Sequence, residues 1–340
     1  MKFTSVRSRI AIASMAVGLM VAACGSSTPT AAPSTAATAG PSTAATAAPS
    51  AAPTTPAAGS AGTVNIAVNA WVGYRADAAV VAYILETKLG YKVNLSDLAE
   101  EVSWAGFESG TVDVILENWG HPDYEQKYIV EKKVAMDAGS TGNEGVIFWG
   151  VPAWMVEKYP DITDYKNLNK YADLFKTSES GDLGQFLGTD PSYIQYDEAI
   201  IRNLGLNFKV TFSGSETATV QAIKNADAQK TPLLLYWWDP HWLNSVVKMV
   251  QVKLPPYTAG CDADKEKVAC DYPVTDLNKI ISTKFNNEGG NAATLIKKFK
   301  WTNADQNSVA NDITNNGMTD AQAAQKWVDA NEAVWKAWMP

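Results

Sequence analysis

The segment Leu235-Tyr236-Trp237-Trp238-Asp239-Pro240-His241-Trp242 places four aromatic rings and one of the chain's two histidines at the end of an apolar, strand-like run. Aromatic faces attract cations through the ring quadrupole. Several faces converging on one point form the usual receptor for a quaternary ammonium group, which has no N–H to donate. Three further segments carry rings where a strand ends or a loop runs: Asn69-Ala70-Trp71-Val72-Gly73-Tyr74, Glu117-Asn118-Trp119-Gly120-His121-Pro122 and Asp190-Pro191-Ser192-Tyr193-Ile194-Gln195-Tyr196. Residues just past strand C-termini line the ligand crevice of open α/β sheets, so all four segments are expected to face one site. Strand alternation turns Trp237 away from Trp238 and assigns it to packing.

Signals for catalysis are thin. The sequence has no Gly-x-Ser-x-Gly elbow, no His-Glu-x-x-His pair, no phosphate loop and no convincing metal cluster, so neither cofactor nor metal is expected. The rival from another class is an extracellular glycosidase, because sugars also stack on aromatic rings, and Glu117 and Asp239 stand close to Trp119 and Trp238. His121 is assigned to the surface or to a supporting position.

The elements that would hold these residues read as α/β units. Val64 to Val68 alternates as a strand, and Asp77 to Leu89 follows helical spacing with Gly90 as its stop. Tyr91 to Leu95 is a strand, Trp104 to Ser109 a helix and Val112 to Leu116 a buried strand. After a changeover near Trp149 to Trp154 the pattern resumes: strand Gly145 to Trp149, helix Asp197 to Leu204, strand Phe208 to Phe212, helix Glu216 to Ala226 and strand Leu233 to Trp237. The remainder, past a strand-like Val246 to Leu254, reads as loop and helix. It ends in Thr319 to Trp338, with Thr319 as N-cap and packing tryptophans on one stripe. Strands alternating with helices argue for two α/β lobes with a mixed sheet in each. The predicted division is residues 63–150 with 247–340 as lobe 1 and 151–246 as lobe 2, with the ligand cleft between them.

The N-terminus reads as an export leader. Lys2, Arg7 and Arg9 precede an apolar stretch from Ile10 to Ala23 that is too short to span a bilayer comfortably. Val21-Ala22-Ala23-Cys24 matches a lipobox, so residues 1–23 are expected to be removed and Cys24 lipidated. Residues 24–62 are almost wholly Ala, Ser, Thr, Pro and Gly and are expected to form a disordered linker. Cys261 and Cys270 then remain as a pair outside the cytoplasm, where a disulfide is expected; two thiols with no histidine nearby make a poor zinc set. The formal charge of −8 becomes more negative without the leader's three basic residues. An acidic chain with no basic block is a poor nucleic-acid binder, and the lipid is left as its means of membrane attachment.

From about Thr63 onward the chain resembles the glycine betaine and proline betaine substrate-binding proteins of bacterial ABC importers. The matching signals are Asn118-Trp119 with a nearby proline, the Asp190-Pro191 turn followed by an aromatic, and Trp238-x-Pro240-x-Trp242, the most specific of the three. The resemblance implies a type II periplasmic-binding fold, two-lobed, that closes on its ligand and presents it to a membrane permease. It implies an aromatic box in which Trp119 supplies a wall from the first lobe and Tyr193 and Trp238 supply walls from the second, with Trp71 as a fourth. Tyr193 stands where one branch of the family has tryptophan. Micromolar binding needs about 8 kcal/mol, and three desolvated rings at up to ~2 kcal/mol each fall short of it. A zwitterion such as glycine betaine therefore needs a second subsite of donors, for which His241 and the backbone N–H groups of the Trp71 to Gly73 turn are the candidates. The expected function is thus that of a monomeric, lipid-anchored receptor for a quaternary ammonium osmolyte. Glycine betaine is the first choice, with choline or carnitine as the alternative; an additional acid in the pocket would favour choline.

Overall fold

The computed structural model describes residues 61–340; the expected leader, Cys24 and the linker up to residue 60 lie outside them. Nine strands form one mixed sheet: β1 (Thr63–Val68), β2 (Lys92–Asp97), β3 (Val114–Asn118), β4 (Ala135–Pro152), β5 (Gly184–Gly188), β6 (Phe208–Phe212), β7 (Leu235–Asp239), β8 (Met249–Gln251) and β9 (Val274–Ser282). Their order is β2-β1-β3-β9-β4-β7-β5-β6, with β8 pairing β4 off this path. At one end β1 runs parallel to β2 and β3, and at the other β5 runs parallel to β6 and β7. Between them, β4 and β9 run antiparallel to their neighbours. The long β4 joins the two ends, pairing β9 from Ala135 to Val146, then β7 as far as Gly150, and β8 from Gly150 onward.

The helices that matter for the site follow strands. Helix α1 (Val72–Leu89) follows β1 and stops at Gly90, whose φ of 73° is the left-handed conformation that glycine adopts without strain. Helix α2 (Glu100–Ser109) follows β2, α3 (Asp197–Asn203) follows β5, and α4 (Glu216–Gln229) follows β6. Ser215 caps α4 by accepting the Ala218 N–H. Near the C-terminus, α5 (Asn303–Thr314) and α6 (Asp320–Ala330) begin at Thr302 and Thr319, each with a reciprocal capping box. They pack on α1. Trp327 and Trp338 stack 5.7 Å apart and Trp301 meets Trp327 edge-on, as expected of packing tryptophans.

Three sequence expectations are corrected. Helix α1 begins at Val72, five residues earlier than the periodicity starting at Asp77 suggests. Strand β4 extends back to Ala135, beyond the expected Gly145. The segment read as loop and helix after residue 254 contains β9, a central strand. Asp276, Asn278 and Lys279 hide it, because they interrupt the apolar pattern. Lys279 is buried all the same, its ammonium donating to the Ser140 and Phe299 carbonyls at 2.8 and 2.6 Å. The Ser140 carbonyl becomes available where β4 shifts register, between Asp137 and Glu144, and that of Phe299 at the end of a C-terminal helix. Burial lowers the Lys279 pKa to about 8.

Cys261 and Cys270 form a disulfide nine residues apart in sequence, in the loop that leads to β9. Replacing both by serine should cost about 3 kcal/mol from the loop-closure entropy of so short a ring. The midpoint of urea unfolding would report the loss, and an unchanged midpoint would contradict it.

Candidate functional site

Trp71, Trp119, Tyr193 and Trp238, drawn from four separate stretches of chain, line one cavity. Trp71 is the residue before α1, in extended conformation, and Trp119 follows β3 directly. Tyr193 lies in the loop between β5 and α3, and Trp238 is the penultimate residue of β7. Trp71 and Tyr193 meet at 5.4 Å and 85°, and Tyr193 and Trp238 at 5.9 Å and 81°. Consecutive rings therefore stand nearly at right angles, like the sides of a box, and Trp119 adds another wall. Tyr196, Tyr236 and Tyr272 line the same space. Tyr236 and Trp238 are two apart on β7 and share a face, while Trp237 between them is fully buried off the cavity, its indole bonded to Asn244 at 2.7 Å.

The walls are held by their edges. Glu117, on β3, accepts the indole N–H of Trp71 at 3.0 Å and that of Trp119 at 2.8 Å on a single carboxylate oxygen. Its other oxygen accepts from Gln306 of α5 at 2.7 Å. Burial raises the pKa of Glu117, and the N–H donors oppose that rise. The neighbouring Asp77 is wholly buried, and burial together with the charge of Glu117 pushes its carboxyl well above the usual range. The donors around Glu117 favour its charged form. Tyr193 donates its hydroxyl to the Ala70 carbonyl, a bond from the β5 side of the sheet to the β1 side. Asp197 accepts from Trp149 at 2.7 Å and from Tyr272 at 2.9 Å. It is buried, and desolvation raises its pKa to about 7.

The polar lining is acidic. Glu100, at the start of α2, and Asp262 face the cavity, and no lysine or arginine does so among the described lining residues. His121, expected at the surface or in support, also lines the cavity, its Nε2 against the Glu100 carboxylate. The cavity is small and partly open, with a volume of about 60 Å³.

His241 stands behind the wall. It does not line the cavity; its ring packs edge-on 5.1 Å from Trp238. Its Nδ1 accepts the Leu243 N–H at 3.1 Å, and its Nε2 lies 2.7 Å from Glu216. The expected role as donor to a ligand carboxylate is therefore not free to be played, because both ring nitrogens are engaged within the chain. Trp242 is buried away from the cavity with the Lys224 ammonium 5.0 Å from its ring centroid.

Sequence reasoning missed Tyr236, Tyr272, Ile147, Glu100 and the supporting acids Glu117 and Glu216. Tyr236 was legible from strand alternation with Trp238. Tyr272 was not, since it sits in a loop far along the chain. Among the described residues no group of His, Cys, Asp and Glu could hold a metal, and no helix is long and apolar enough to cross a membrane.

Comparison with known proteins places this geometry in context. The model of the family described as the substrate binding domain of ABC-type glycine betaine transport system matches residues 62–330. The trimethylamine N-oxide-binding protein of Pelagibacter ubique (strain HTCC1062) is 26% identical over 299 residues, spanning 82% of this chain and 91% of that one. An ABC-transporter choline-binding protein in complex with choline superposes with a TM-score of 0.66 at 20% identity, over 81% of this chain and 91% of its own. Lactococcal OpuAC, closed on glycine betaine, gives 0.65 at 22% identity, over 82% and 99%. These likenesses establish the fold, that of type II periplasmic binding proteins.

Two predictions follow from the edges of the walls. A Cβ added at Gly145 would stand 2.6 Å from the Trp119 ring and 2.8 Å from Leu277. Gly145→Ala should therefore displace Trp119 and weaken ligand binding about tenfold, ~1.4 kcal/mol by calorimetry, with the fold retained. For Asp197, a folded pKa raised to about 7 means stability that is present below about pH 4 and lost as pH rises through 7. Asp197→Asn should remove this dependence, so its melting temperature relative to the native chain should rise between pH 4.5 and 8. A constant difference would show that the carboxyl is not perturbed.

Proposed function

We propose, from the premise that this chain belongs to the family of substrate-binding domains of ABC-type glycine betaine transport systems, that its aromatic cavity captures one small trimethylammonium compound for delivery to the permease. The family is one of transport receptors, not enzymes. The observation that carries the reading is the box of nearly perpendicular rings, Trp71, Tyr193 and Trp238, completed by Trp119. Such faces bind a cation without hydrogen bonds, and each desolvated face contributes up to ~2 kcal/mol.

The lining supports a ligand of net positive charge. Glu100 and Asp262 face the cavity with His121 as the sole basic lining residue among those described, and His121 is paired to Glu100. Choline, with a full charge and a hydroxyl, suits that lining better than glycine betaine, whose carboxylate would meet like charges. The Pelagibacter relative is named for trimethylamine N-oxide, which has the same head and a single further atom, an oxygen that accepts hydrogen bonds.

The receptor works outside the cytoplasm, the setting of importer binding proteins and one that suits the Cys261–Cys270 disulfide. A lipid on Cys24 would hold it at the membrane. Residues 63–150 with 247–340 form the first lobe and 151–246 the second, with β4 as the segment that joins them. The monomer is the functional unit, since one chain supplies every wall.

A thermal-shift panel of choline, trimethylamine N-oxide, glycine betaine, carnitine and cellobiose tests the assignment. Ligand at a hundred times Kd stabilises by about 2.7 kcal/mol, a shift of several degrees. Choline or the N-oxide should give the largest shift, and Trp238→Ala should abolish it, read against the variant's own unliganded melting temperature, which loss of so buried a ring lowers. A response to cellobiose alone, or to none of the trimethylammonium compounds, would overturn the reading.

A further inference from the structure

The two donors suited to a ligand carboxylate, the His241 ring and the backbone at the start of α1, are both present, and a side chain of this protein occupies them. Glu216, the first residue of α4, accepts the Val72 N–H at 2.8 Å on one carboxylate oxygen and meets His241 Nε2 at 2.7 Å with the other. Because Nδ1 of His241 already accepts the Leu243 N–H, the ring proton belongs on Nε2, which donates to Glu216. Val72 is the first residue of an 18-residue helix whose preceding residue, Trp71, offers no side-chain cap. Its N–H is one of the unsatisfied donors at a helix N-terminus, where negative charge is favoured. The Glu216 side chain is 12% exposed and the His241 side chain 1%.

This pair of donors adjoins the aromatic box. Trp71, a wall, immediately precedes Val72, and the His241 ring packs on Trp238, another wall. Of the charges acting on the wall residue Tyr193, Glu216 is the strongest. Val72, Glu216 and His241 do not line the cavity itself; Glu216 stands beside the Trp71 and Trp238 walls and occupies the donors next to them.

We infer that Glu216 is the residue that sets ligand selectivity, acting as a built-in carboxylate that closes the site to betaines and reserves it for trimethylammonium compounds without an acid group. A betaine would have to place its carboxylate against that of Glu216, with the His241 ring and the Val72 N–H already engaged. A ligand such as tetramethylammonium or choline needs neither donor. The inference rests on the proposed reading of the aromatic cavity and narrows its ligand class.

Isothermal titration of the native chain, Glu216→Ala and Glu216→Gln with tetramethylammonium, choline and glycine betaine tests it. In the native chain glycine betaine should bind at least about tenfold more weakly than choline. Glu216→Ala leaves the Val72 N–H and His241 Nε2 free, and the ratio of the betaine to the choline Kd should fall by at least about tenfold. Glu216→Gln keeps the position filled, and its ratio should remain closer to the native one than to that of the alanine variant. An unchanged ratio in Glu216→Ala, or native binding of betaine as tight as that of choline, overturns the inference while the cavity's function stands. If the alanine variant does not fold, the native rank order decides. Failure of the native chain to bind any of the three overturns the proposed function and this inference together.

Discussion

A binding site made of aromatic faces is limited by what happens at the edges of those rings. The faces are reserved for the cation and cannot be anchored through it, so each ring must be fixed by its N–H or O–H, buried where an unmade hydrogen bond is costly. The single oxygen of Glu117 that receives both Trp71 and Trp119 meets this constraint for two walls at once. Placing that carboxylate under the cavity requires a short strand buried along its whole length, which β3 is, and a helix to supply Gln306 to the other oxygen. The C-terminal helices that pack on α1 are in this sense part of the site.

The same carboxylates shape the charge of the cavity. Glu117 lies behind two walls, Glu100 and Asp262 face the interior, and Glu216 sits at the side. In a medium of low effective dielectric these charges are weakly screened, and a bound cation experiences them together with the ring quadrupoles. Burial and the neighbouring Glu117 both favour the neutral form of Asp77. The acids behind the rings add to the attraction that the ring faces offer a cation.

Much of this was legible in the sequence, because aromatic density and strand alternation are local signals. The four ring-bearing segments converge as expected, and Trp237 and Trp238 divide as their alternation requires. Strand β9 escaped because its charged residues find partners only in the folded chain: Lys279 looks like a surface residue until β4 and the end of a C-terminal helix bring the Ser140 and Phe299 carbonyls to it. Glu216 reads as an ordinary acid in the first turn of a helix, stabilising in that position without any further role. Its partner Val72 is 144 residues away, and no periodicity reports such a contact. For the same reason the sequence identified His241 as a donor but could not show which acceptor takes it.

Two bonds bridge the sides of the sheet at the cavity: Tyr193 to the Ala70 carbonyl, and the Val72 N–H to Glu216. Both sides contribute walls, so these bonds fix the spacing of the box in this conformation. Ordering a side chain on binding costs about 0.5–1.5 kcal/mol, and four loose rings would consume much of the ~8 kcal/mol that micromolar affinity requires. The edges of Trp71, Trp119 and Tyr193 are bonded within the chain, which leaves less of that ordering to the ligand. Affinity in such a site depends less on how many rings surround the cation than on how few of them must be ordered when it arrives.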